Sequence, residues 1–181
     1  MALVLSQQPA ADALLTRDPL ALLIGMVLDQ QVPLERAFSA PYDLTQRLGH
    51  DLDALAAVFA GPPALHRYPK SMAKRVQDLC RLLVDRYGGD AAAVWRDAPN
   101  GETLRRRIAE LPGFGAQKAQ IFVALLGKQY GVQPRGWRKA AGTYGERSSY
   151  RSVADITDSE SLRRVREYKQ QLRAAAKATR S

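Results

Sequence analysis

The stretch Leu111-Pro112-Gly113-Phe114-Gly115 lies between two helical patterns and decides the fold. Residues 102–110 place apolar side chains at helical spacing before it, and residues 116–126 do so after it. Pro112 ends the first helix, and the two glycines allow left-handed or crowded backbone. The sequence therefore predicts two helices joined by a tight hairpin.

A hairpin of this kind opens the first turn of its second helix to a ligand. The N–H groups of that turn lack intrahelical acceptors, and the helix dipole adds partial positive charge. Such a helix start can hold a phosphate, and it grips a DNA backbone without reading sequence. The same turn also occurs as a plain connector, so the rest of the chain decides between these interpretations.

The composition favours a nucleic-acid partner. The 181 residues predict one compact domain or two lobes sharing a groove, and 46% hydrophobic residues suffice for a core. The formal net charge is +9, which is typical of proteins that bind nucleic acid, although unrelated proteins also carry basic tails. Residues 134–181 contribute twelve Lys or Arg against five Asp or Glu, so this part is the predicted electrostatic footprint.

Cysteine and histidine usage argues against a metal cofactor. The only cysteine, Cys80, follows a helical pattern and is predicted to be a buried core residue. One cysteine forms neither an internal disulfide nor a cysteine-ligated iron–sulfur cluster. His50 and His66 lie in loop-like sequence without metal-ligand spacing, so we expect no metal. A monovalent cation at the hairpin is the one ion that the sequence does not exclude.

No segment predicts a membrane or export function. The longest apolar run, residues 19–28, is too short to span a bilayer, and the N-terminus lacks the pattern of a signal peptide. We therefore expect no membrane partner and a cytoplasmic location, with nucleoid association if the source is bacterial.

The remaining patterns predict an all-α fold. Asp18-Pro19 is typical of an N-cap followed by proline at the first helical position, and Pro41 is predicted to interrupt a helix. No alternating pattern predicts a strand. The predicted helices span residues 10–15, 20–31, 34–39, 43–48, 51–59 (after a C-cap at Gly49), 71–87, 91–95, 103–110, 116–126, 137–142 and 158–178.

Three separated segments resemble one family of DNA repair enzymes. The chain resembles the helix-hairpin-helix superfamily of DNA glycosylases (HhH-GPD), which includes endonuclease III and the mismatch adenine glycosylase. The resemblance covers roughly residues 15–130. Its segments are an early helix with a glutamine turn, a helix that ends in Tyr-Gly-Gly, and the hairpin itself, at residues 18–31, 73–90 and 104–115.

The resemblance implies a two-lobed helical fold with a DNA groove. One lobe of the six-helix type would span about residues 28–130, with the hairpin at 102–127. The N-terminal helix and residues 131–181 would form a second, basic lobe. The target nucleotide would be turned out of the stack. Gln31, with Gln30 beside it, would fill the gap left in the duplex. Alternatively, both are polar residues that end a buried helix. A monomer is expected.

The chain departs from the family at both positions that carry its chemistry. The family's attacking lysine falls on Gln117, and Lys118 lies one residue further, rotated by about 100° on the helix. Monofunctional members also lack the lysine. The family's aspartate, which offsets positive charge on the sugar, falls on Pro134. Lys118 and Asp29 are therefore the first candidates for a catalytic role.

The resulting prediction is a DNA-binding protein of the base-excision repair type. It would be an N-glycosylase that removes a damaged or mismatched base, monofunctional or with an unusual acid, or a non-catalytic module that binds damaged or distorted DNA. A scaffold without DNA affinity is the third hypothesis, which the basic charge disfavours. For Arg135, Arg138 and Lys139 the alternative is that these cations are only solvated and that Trp137 belongs to the core. The predicted DNA contacts are Gly113, Phe114, Gly115, Gln117, Lys118, Gln30, Gln31, Arg135, Arg138 and Lys139.

Overall fold

The computed structural model describes residues 2–48 and 55–178, and the regular elements within these ranges are helical. The all-α prediction is confirmed for this part of the chain. Short 3-10 turns span Gly142–Gly145 and Val153–Asp155. The α-helices are α1 (Pro9–Arg17), α2 (Pro19–Leu28), α3 (Leu34–Leu48), α4 (Leu55–Ala60), α5 (Pro69–Tyr87), α6 (Ala93–Arg96), α7 (Gly101–Ala109), α8 (Ala116–Gln129), α9 (Trp137–Ala140) and α10 (Ser159–Ala178).

Helix α2 begins where the sequence predicts and ends earlier. The Asp18 carboxylate accepts hydrogen bonds from the backbone N–H groups of Leu20 and Ala21, which confirms the predicted N-cap. Residues 21–28 are all buried. The prediction that this helix continues to Gln31 is wrong, because Asp29 leaves helical geometry and Gln31 has a φ of +56°.

Helix α3 runs through Pro41 without a break, so the predicted interruption there is wrong. A proline inside a helix removes one hydrogen bond and crowds the preceding turn. Residues 37–41 are all buried, and α3 packs against both α1 and α2. Burial of this apolar face therefore outweighs the local cost of the proline.

One continuous hydrophobic core joins the helices. Helices α1 to α5 pack in sequence around α2, while α7, α8, α9 and both 3-10 turns pack around one another. Helix α8 is buried on most sides from Phe122 to Gly127. Helices α2 and α8 contain the longest unbroken runs of buried residues among the described helices, and the elements around them carry the charged surface.

Small residues let α7, α8 and α9 approach closely. A Cβ at Gly127 would lie 2.3 Å from Cε3 of Trp137, and a Cβ at Gly101 would lie 2.5 Å from Cα of the same residue. The Gly101 N–H donates to the carbonyl of Arg135 at 2.8 Å. Trp137 is 7% exposed and therefore belongs to the core. This confirms the interpretation of Trp137 as a core residue.

Some predicted features lie outside the described residues, and others differ from the structure. His50, the Gly49 C-cap and the first residues of the predicted helix 51–59 lie outside the described ranges. Cys80 on α5 packs against the hydrophobic core and borders a surface groove, so its predicted burial is only partial. No described helix combines the length and the apolar character that a membrane span requires.

Candidate nucleic-acid interface

The hairpin, residues 111–115, forms a tight turn between α7 and α8. The Leu111 N–H donates to the carbonyl of Ile108 at 3.1 Å, and the Phe114 N–H donates to the carbonyl of Leu111 at 3.0 Å. Leu111 and Phe114 are buried, and the Phe114 ring lies edge-on to Phe122 with 5.6 Å between centroids. Phe114 is thus an anchor of the hairpin, and its side chain does not face solvent.

Gly113 meets two constraints at once. Its φ of +87° lies in the region that residues with a side chain rarely adopt. A Cβ at this position would also lie 3.2 Å from Cγ1 of Val27 on α2. The glycine therefore serves the turn and lets the hairpin pack against α2.

The start of α8 is open. Its N-cap is Gly115, in extended conformation, and no side chain caps the helix. A Cβ built at Gly115 meets no heavy atom within 4 Å, and Gly115, Ala116 and Gln117 are exposed. The first N–H groups of a helix have no intrahelical acceptor and carry the positive end of the dipole. This end of α8 can therefore receive an anion without displacing any described side chain.

Gln117 and Lys118 point to different places, as their separation on the helix requires. The Gln117 amide donates to the hydroxyl of Tyr144 at 2.8 Å. The Lys118 ammonium donates to the carbonyls of Met26 and Val27 at 2.8 and 3.3 Å. Lys118 thus satisfies carbonyls at the C-terminal end of α2, where a cation also meets the negative end of the helix dipole.

The surroundings of Lys118 change its ionisation. Burial lowers the pKa of Lys118 to about 8, although the neighbouring Asp29 favours the charged form; Arg75 adds to the lowering. The structure therefore brings together the two residues that the sequence named as catalytic candidates. A neutral amine at this position is populated near physiological pH, and a neutral amine is the nucleophilic form of lysine.

Gln30 and Gln31 have different environments. The Gln30 amide donates to the carbonyl of Val27 at 2.7 Å and accepts from Arg75 at 2.6 Å. Gln30 is therefore held inside the connection between α2 and α5. Gln31 is exposed, and its amide oxygen accepts from the hydroxyl of Tyr68 at 3.2 Å. Of the two glutamines, Gln31 is the one with an exposed side chain.

His66 supports this connection, which was not predictable from the sequence. It is 2% exposed, its Nδ1 accepts from the Tyr68 N–H at 3.0 Å, and its Nε2 lies 3.0 Å from the carbonyl of Gln30. With Nδ1 accepting, Nε2 carries the proton and donates. Burial lowers the pKa of His66, which favours this neutral form. A lone histidine in loop-like sequence predicts no such bridge.

The cations after α8 do not gather at the hairpin. Arg135 and Lys139 are exposed. The Arg138 guanidinium lies over the Trp137 ring, 4.3 Å from its centroid, and donates to the carbonyl of Gly145 at 2.9 Å. Arg138 faces a polar pocket at the C-terminal end of α8, at the opposite end of that helix from the hairpin.

The nearest acids in sequence to Pro134 are engaged elsewhere. Glu146 pairs with Arg151 at 3.1 Å. Asp155 is 3% exposed at its side chain and pairs with Lys128 at 2.5 Å. Within residues 2–48 and 55–178, no three His, Cys, Asp or Glu side chains cluster as metal ligands would. Asp29, in contrast, acts electrostatically on Lys118 and favours its charged form.

Comparisons with protein-family models, with curated proteins and with solved structures found no match. The resemblance to the glycosylase superfamily accordingly remains an expectation from the sequence. The hairpin geometry, the charge of the chain and the Lys118 environment are the features that bear on function.

Proposed function

We propose that this protein binds DNA, with the open start of α8 holding a backbone phosphate. The observation that carries the proposal is the helix start at Gly115, which is uncapped, exposed and free of neighbouring atoms. Backbone N–H groups at a helix start bind phosphates in many unrelated proteins. The hairpin packs against α2 through Gly113 and against α8 through Phe114, so these N–H groups are held in fixed positions before a ligand arrives.

The charge of the chain supports the same proposal. The formal net charge is +9, and most of it belongs to residues 134–181. Arg135, Lys139 and three arginines of α10, Arg163, Arg164 and Arg166, are exposed in this part of the chain. A positive surface attracts a polyanion over a distance, and phosphate contacts add affinity that depends on salt and little on sequence.

A salt titration tests DNA binding by the intact protein. We expect the affinity for a fluorescent duplex to fall by about tenfold or more between about 50 and about 200 mM salt, since two or more neutralised phosphates give a slope of that size. Two duplexes of unrelated sequence serve as the matched control and should bind alike. No measurable binding at about 50 mM salt would contradict the proposal, as would an affinity independent of salt.

A glycosylase activity is the second candidate, and it rests on the proposed DNA binding. The observation that favours it is Lys118, a half-buried lysine whose pKa is lowered to about 8 and whose charge is influenced by Asp29. A neutral amine can attack C1′ of a sugar while the base leaves with the bonding electron pair and is protonated. Asp29 would then stabilise the positive charge that develops on the sugar. The family's usual aspartate position holds Pro134 instead.

Single-turnover base release decides between this candidate and a non-catalytic module. Excess protein is mixed with duplexes carrying uracil, oxidised guanine, alkylated purines, oxidised pyrimidines or mismatches, and abasic sites are read by alkali cleavage. We expect release from one lesion, rising as the pH passes about 8 and lost in Lys118→Gln. Release that persists in Lys118→Gln would exclude this nucleophile. Binding without any release would favour the non-catalytic module for damaged or distorted DNA.

A further inference from the structure

An open polar pocket of about 390 Å³ lies at the C-terminal end of α8. Its walls come from the end of α8, from Arg138 of α9, from the loop that contains Arg147 and Tyr150, and from Arg164 of α10. Because α8 has 14 residues, the pocket is about 20 Å from the hairpin along the helix. It is thus separate from the helix start described above.

Two of the arginines that line this pocket are held in place by aromatic rings. The Arg138 guanidinium stacks over Trp137 and donates to the carbonyl of Gly145 at 2.9 Å. The Arg164 guanidinium lies 4.8 Å from the centroid of the Tyr150 ring. Each guanidinium retains further N–H donors, since it carries several in a planar fork. The two groups are therefore positioned before any ligand binds.

The buried carboxylate at the back of the pocket has its acceptor capacity used. One Asp155 oxygen accepts from Lys128 at 2.5 Å and from the Ser149 hydroxyl at 3.0 Å. The other oxygen accepts from the backbone N–H groups of Arg151 and Ser152, at 2.9 and 3.1 Å. With four donors on two oxygens, Asp155 is saturated and has little capacity left to pair with the arginines.

The two exposed acids at the rim of the pocket also accept hydrogen bonds from neighbouring residues. Asp158 accepts from the N–H and the hydroxyl of Ser161 at 2.7 and 2.8 Å. Glu160 accepts from Arg163 and from Nε of Arg164, at 2.6 and 2.9 Å. The pocket therefore contains more cationic donors than carboxylates able to satisfy them.

Arg147 shows most clearly that the pocket has more cationic donors than carboxylates. It lines the pocket, it is exposed, and it makes no hydrogen bond or ion pair with any of the residues that the structure describes. We propose that the pocket binds a phosphate group, held by Arg147, Arg138 and Arg164. Planar guanidinium groups match phosphate oxygens in pairs, which makes arginine the usual side chain for this ligand.

Titration with inorganic phosphate tests the pocket in the intact protein. Chloride keeps the ionic strength constant, and the amide resonances of the loop that contains Ser148 and Ser149 report on binding. We expect saturable shifts there, with an affinity about tenfold weaker in Arg147→Ala, because a charge-assisted hydrogen bond is lost. Arg81→Ala, an equal charge change on α5, should leave the affinity unchanged. Arg147 has no partner among the described residues, so its removal should leave the fold intact.

The remaining outcomes separate the sources of the phosphate and the two proposed sites. Shifts caused by inorganic phosphate alone would assign a free phosphate or phosphate monoester. Shifts caused also by a dinucleotide without terminal phosphates would assign a nucleic-acid backbone. Equal phosphate affinity in Arg147→Ala and Arg81→Ala would overturn the proposal, as would the absence of saturable shifts. A Gly115→Asp variant should respond like the original protein, because the hairpin is distant from this pocket.

Discussion

Replacing Gly115 by aspartate is expected to weaken DNA binding by about 10- to 100-fold while leaving the protein as stable as before or more so. The new carboxylate would accept from the first N–H groups of α8 and occupy the place of the phosphate. Its charge would also repel the DNA backbone. The substitution is sterically free, because a Cβ at Gly115 meets no heavy atom within 4 Å. Aspartate is also a better N-cap than glycine, by a few tenths of a kcal/mol.

The matched control is Gly115→Asn, which caps the helix equally well without a charge. It should weaken binding less than Gly115→Asp does, and the difference between the two measures the repulsion. Thermal unfolding checks that both variants fold. A Gly115→Asp variant that folds normally and binds a duplex as tightly as the original protein would contradict the assignment of the phosphate to this helix start.

Replacing Lys128 by methionine is expected to lower the free energy of unfolding by about 3–5 kcal/mol. Removing one member of a buried ion pair leaves the other charge without its partner in a medium of low polarity. The partner here is Asp155, whose side chain is 3% exposed and lies 2.5 Å from the ammonium. Urea unfolding followed by circular dichroism measures the change.

Two further variants serve as controls for this measurement. Lys74→Met removes an i,i+4 pair with Asp78, where the lysine is 72% exposed, and should cost less than about 1 kcal/mol. Adding Asp155→Asn to Lys128→Met removes the stranded charge and should recover much of the stability. Equal losses in Lys128→Met and Lys74→Met would show that the first pair is not buried in solution.

Several helix starts and stops were predictable because they depend on neighbouring residues alone. The Asp18 side chain caps α2 through N–H groups two and three positions away. Gly88 ends α5 with a φ of +60°, as the Gly-Gly pair predicts. The hairpin at residues 111–115 follows from Pro112 and Gly113 in the same way. Each of these features is encoded within a few residues.

Features that depend on distant contacts were not predictable. Pro41 remains helical because the surface around it is buried against α1 and α2, which no local pattern reveals. Lys118 donates to carbonyls more than ninety positions earlier in the chain. His66 reaches the backbone of Gln30 across a separation of 36. The sequence identifies these residue types, while their partners depend on how the helices pack.

The most direct test of phosphate binding at the hairpin is a titration of the isotope-labelled protein with duplex DNA, followed by amide chemical shifts. We expect the amides from Gly113 to Lys118 to shift early and strongly at low salt. In Gly115→Asp these shifts should be absent at the same DNA concentration. DNA binding that moves other amides and leaves residues 113–118 unchanged would show that the phosphate does not bind at the start of α8.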